Sequence, residues 1–103
     1  MTTTKQLVLD IAMNLNRIGN WAADGFETKQ KRIVFFLEQT NAYITLLQSQ
    51  HLPPPFIPTF NTFTSTFKKM YTDGLSTPKD KVVWAESMMT WGNILTHRAS
   101  LIE

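Results

Sequence analysis

Few side chains in this sequence are equipped for chemistry. Two histidines, His51 and His97, are present and cysteine is absent, which excludes disulfides, thiolate nucleophiles and thiolate metal sites. A di-iron centre of the bundle type takes Glu-x-x-His pairs from two helices, and neither histidine has a Glu three residues before it. His97 does follow Glu86 on one helical face, but a histidine in the last turn of a helix is already accounted for by its favourable interaction with the dipole. Gly19, Gly25, Gly74 and Gly92 stand alone, so no glycine-rich phosphate loop exists. No nucleophile–base arrangement is recognisable in the sequence. We therefore expect no catalytic residue, no metal, no cofactor and no enzymatic activity.

What remains is cationic and aromatic. Lys29, Lys31, Arg32, Lys79 and Lys81 form two short basic groups, and their value depends on whether the fold brings them together. Trp84, Met88, Met89 and Trp91 lie close enough to line a ligand pocket, although aromatic and Met residues at helical spacing usually belong to a core. Both questions turn on the elements that carry these residues.

The chain of 103 residues is 43% hydrophobic and only 17% charged, against a globular average of roughly 25% charged. Its length suits one domain over residues 1–103 with one core. Leu7, Ile11, Leu15, Ile18 and Ala22 recur at steps of four and three, which predicts a helix near 4–23 capped by Thr3 with Gln6. Asp24 with Glu27 repeats the capping pattern, opening a second helix near 27–50 on Ile33, Phe36, Leu37, Thr40, Ile44 and Leu47. Phe60, Phe63, Phe67 and Met70 predict a third helix near 59–73, closed by Gly74 in the left-handed conformation with Leu75 beyond it. Thr77 as N-cap and Pro78 at the first helical position open a fourth near 78–101.

Four such helices joined by short connections predict an all-α, antiparallel up-down-up-down four-helix bundle. Leu15, Ile18, Phe36, Ile44, Phe63, Phe67, Trp84, Met88 and Trp91 are expected inside it. The third helix is expected to be short, about nine residues less than its neighbours, which leaves its column ~13 Å short. The proline-rich connection His51 to Phe60 would cover that gap in extended form at ~3.1 Å per residue, with Phe56 and Ile57 at least half buried. It lacks the flanking base of an SH3 ligand and the Tyr of a PPxY ligand, so the structural role is preferred to peptide recognition.

This topology gathers eight of the ten bases at one pole against Asp24, Glu27, Asp73 and Asp80, a local charge of +4, while the rest of the chain sums to −2. Lys29, Lys31, Lys79 and Lys81 fall in first turns, where the helix dipole disfavours cations. With Arg32 they are the candidate anion-binding residues, for a phosphate, an acidic partner or nucleic acid.

The leading expectation is different. The second helix carries a second apolar row of Phe35, Ala42 and Leu46, and with Trp21 this exceeds what one small core absorbs. These four residues are the candidate interface of a non-enzymatic protein-protein interaction module, expected to be a homodimer or to bind another protein. Nucleic-acid binding at the basic pole is the alternative, and a ligand carrier built on the Trp/Met cluster is a third. No apolar run approaches the ~20 residues of a membrane span, and the opening residues do not form a leader, so a cytoplasmic protein is expected.

Overall fold

Thr3 begins the first helix as expected: its side-chain oxygen accepts a 3.0 Å hydrogen bond from the backbone of Gln6. In this computed structural model, which describes residues 3–102, α1 spans Thr4–Gly25. Its buried stripe of Leu7, Ile11, Leu15, Ile18 and Ala22 faces the core. Gln6 does not complete the capping box; its amide donates to Asp10 at 2.8 Å instead. Glu103, counted above in the charge of the chain, lies outside the described residues.

The second capping box is a correction. Asp24 and Glu27 do not cap α2, which spans Gln30–Gln48 and has no side-chain cap. Each carboxylate holds a lysine: Asp24 takes Lys29 at 2.7 Å, and Glu27 takes Lys81. Between the two helices Phe26 is fully buried and meets the Trp84 ring edge-on, centroids 5.6 Å apart. Burial of that ring outweighs continued helix and fixes the turn.

The expected short third helix is also overturned. After Pro53, Pro54–Phe56 forms a single 3-10 turn, and α3 then runs Ile57–Leu75, 19 residues, as long as α2 and one residue longer than α4. Proline suits a helix's first turn because the missing N–H has no partner there anyway, and its fixed φ is already helical. The prolines therefore start α3 early and do not bridge a missing column. Phe56 is buried and Ile57, 39% exposed, is more than half buried, so the expected burial of both holds although the extended run does not. Thr64 and Thr72 of α3 return their hydroxyls to carbonyls one turn back.

Gly74 is helical and has a negative φ. Its lack of a side chain serves packing: a Cβ there would sit 2.5 Å from Cζ2 of Trp84 and 2.6 Å from Cδ1 of Leu37. Helix α4 spans Lys81–Arg98, starting three residues after the expected point, because Asp80 accepts from the Val83 amide at 3.0 Å while Thr77 and Pro78 stay in the connection. A second 3-10 turn, Ala99–Leu101, leads to buried Ile102.

The four helices form a helical bundle around one apolar cluster, and its 18 Å thickness corresponds to two layers of helices. Hydrogen bonds fix how they lie. Thr4 bonds Gln50, and Asn14 bonds Gln39 and Thr40, so numbers rise along α1 as they fall along α2. Arg98 reaches Thr59, and the Trp84 indole donates to the Met70 carbonyl at 3.0 Å, giving α3 and α4 the same opposed sense. The α1/α4 seam is the most extensive contact. Small residues allow it: a Cβ on Gly19 would lie 2.9 Å from the Ala85 carbonyl oxygen, and one on Gly92 would lie 2.8 Å from Asn16. Between α3 and α4 lies an open groove of about 840 Å³ beside Lys69, Asp73, Thr77 and Val83. Of the expected core residues, Phe36 and Trp91 are only partly buried; the others are buried.

Candidate interaction surface on α1 and α2

Phe35 is 59% exposed and Leu46 51% exposed. With Ala42, also exposed, they form a stripe on the side of α2 opposite Ile33, Leu37 and Ile44. Eleven residues of helix separate the ends of that stripe, about 16 Å at 1.5 Å per residue. The core side of α2 is filled by Thr40 as well, whose hydroxyl donates to the Phe36 carbonyl at 2.7 Å and accepts from Asn14, so the α1/α2 seam is hydrogen-bonded and closed beneath the stripe.

Trp21 is not in the stripe, but it is joined to it. Its ring lies 5.3 Å from that of Phe36, which in turn meets Phe35 edge-on at 5.2 Å. Arg32 stacks over Trp21 at 5.1 Å and Arg17 over Phe36 at 5.9 Å. Each arrangement falls within the range for aromatic and cation-π contacts. The result is a continuous aromatic surface with Phe35 at its exposed end and two guanidinium groups lying on it. Met13, 47% exposed, lies one helical turn before Arg17 on α1. Met13, Arg17 and Phe36 were not among the expected interface residues. Met13 could have been found, since it falls out of phase with Leu7, Ile11, Leu15 and Ile18; the contacts of Arg17 and Phe36 depend on the α1/α2 register, which no local pattern reveals.

Of the five anion candidates, Lys29, Lys31 and Arg32 line one open depression together with Glu27, and Lys79 lines the groove beside α3. Lys29 is held by Asp24 and Lys81 by Glu27, and Lys69 pairs with Asp73 at 3.1 Å. Arg32 lies on Trp21. At the α4 N-terminus the Asp80 carboxylate already occupies the amide of Val83. Lys31 and Lys79 remain exposed and make no ion pair among the described residues. Lys29 holds the Asp24 carboxyl below its ordinary value, first through their hydrogen bond and then through charge.

The Trp/Met cluster is divided among packing roles. Trp84 meets Phe26, Met89 closes over Gly19, Met88 is fully buried, and Trp91 lies 5.4 Å from Phe63. The gap between Val8, Ile11, Leu47, Phe56, Phe60 and Leu95 has no room for a water. Among the described residues no three His, Asp or Glu side chains gather as metal ligands, and no helix is long and apolar enough to cross a membrane. Comparison with family models, with curated proteins and with solved structures finds no match for this chain.

Proposed function

We propose that this chain is a non-enzymatic interaction module and that the outer face of α1 and α2 pairs with a second copy of itself. One observation carries the proposal: Phe35 and Leu46, each about half exposed, lie on the outer side of α2 beside the Trp21/Phe36 pair and its two arginines, and Met13, similarly exposed, lies one helical turn before Arg17 on α1. Aromatic residues, Met and Arg are the types enriched at protein interfaces, and Trp and Arg are common energetic centres within them. Contiguous apolar surface of this kind marks interaction sites on soluble domains. The absence of cysteine fits a cytoplasmic setting.

Anion or nucleic-acid binding at the basic pole has less support, because Asp24 and Glu27 occupy two of its four candidate lysines and Asp80 the α4 terminus. A dimer through this face should bury on the order of 1,000 Å² or more. Sedimentation of the wild type and of Phe35→Glu tests the proposal: a dimer that becomes a folded monomer supports it, and a wild-type monomer at tens of micromolar rejects it.

A further inference from the structure

The face on α1 and α2 is self-complementary about a single point. Asn14 bonds Gln39 and Thr40, and Arg17 lies over Phe36, so each position on α1 stands beside a known level of α2. The midpoint between Phe35 and Leu46 falls between Thr40 and Asn41, which is the level of Met13. A two-fold axis through that point and perpendicular to the helices sets each layer on the other with the helices opposed. Phe35 then meets the partner's Leu46. Met13 meets the partner's Met13, and Ala42, small and near the axis, lets the two α2 helices approach closely.

Charge follows the same operation. Gln6, Asp10, Met13 and Arg17 share one side of α1, at spacings of four, three and four. Turning about the Met13 level carries Arg17 to the level of the partner's Asp10, and Asp10 to that of the partner's Arg17. Arg17 is exposed, and Asp10 is partly exposed with only a Gln6 amide on its carboxylate, so both are available. We infer that the second copy docks face to face in this register, with Met13 on the two-fold axis and two symmetric Arg17 to Asp10 pairs flanking an apolar centre. Opposite charges placed this way fix register more than affinity, and a symmetric interface repeats each contact twice. The inference rests on the pairing reading above and adds its geometry.

The absence of cysteine makes the test clean. Met13→Cys should crosslink to itself almost completely with a short bifunctional maleimide, while Val82→Cys, on an exposed part of α4, should not. Arg17→Asp and Asp10→Arg should each weaken dimerisation at least tenfold at low salt. The double variant should return to within about threefold of the wild type, because the pairs are rebuilt with their signs exchanged. A sedimenting dimer in which Met13→Cys does not crosslink, or in which the double variant is not rescued, overturns the register and leaves self-association standing. A wild-type monomer overturns both. Circular dichroism of each variant confirms that only association has changed.

Discussion

A methyl group at Gly74 would meet Trp84 and Leu37 at contacts of 2.5 and 2.6 Å, both from buried, packed side chains. Gly74→Ala should therefore lower stability by about 1–3 kcal/mol in denaturant unfolding, the usual cost of overpacking. From sequence this glycine looked like a helix terminator. A glycine followed by Leu near a helix end reads the same whether it caps or makes room, and only the approach of Trp84 distinguishes the two. Asp24 gives a pH-dependent counterpart. Its carboxyl is pulled below its ordinary value in the folded protein by Lys29, so its contribution is present above the unfolded-state value of about 3.9 and is lost as pH falls through the lowered folded value. Asp24→Asn should lower the unfolding midpoint slightly at neutral pH and leave it unchanged at pH values below both; a loss of equal size at both ends would mean that the side chain acts by something other than its charge.

The helices were legible as elements because their apolar spacing is local, and their ends were less so because competing signals lie within a few residues of each other. Thr77-Pro78 and Asp80 both make good helix starts, and the cap goes to Asp80. Asp80→Ala should cost about 0.5–2 kcal/mol and Thr77→Ala much less. The proline segment is ambiguous in sequence for a related reason: Pro58 marks a helix start as readily as an extended run, and a buried Phe56 before it accompanies the helix. Phe56→Ala should cost about 3–5 kcal/mol, as expected for emptying a buried aromatic site, and Ile57→Ala distinctly less. Equal costs would show that the segment packs along the bundle as first expected. On α2 the outward row of Phe35, Ala42 and Leu46 was visible in the sequence because it is out of phase with Ile33, Leu37 and Ile44. Its continuation through Phe36 to Trp21 and the arginines was not, since that contact exists only once α1 and α2 are in register.

Across the whole molecule, two surfaces compete to explain its function. The basic pole was drawn from helix directions alone, which place eight bases together but say nothing of their partners. With Lys29 and Lys81 held by acids, Lys31→Gln and Lys79→Gln are the changes that isolate free cations; if the pole acts on polyanions, they should weaken binding at ~50 mM salt and lower its salt slope by roughly one unit per lost phosphate contact. No such binding by the wild type is expected under those conditions. The apolar face has no comparable internal partner, and its burial against a second copy is the central claim. Sedimentation equilibrium of the wild type and Phe35→Glu at tens of micromolar tests it most directly. Self-pairing through this face requires a dimeric wild type and a monomeric variant with unchanged helicity; a monomeric wild type, or a Phe35→Glu protein that remains a dimer, contradicts it.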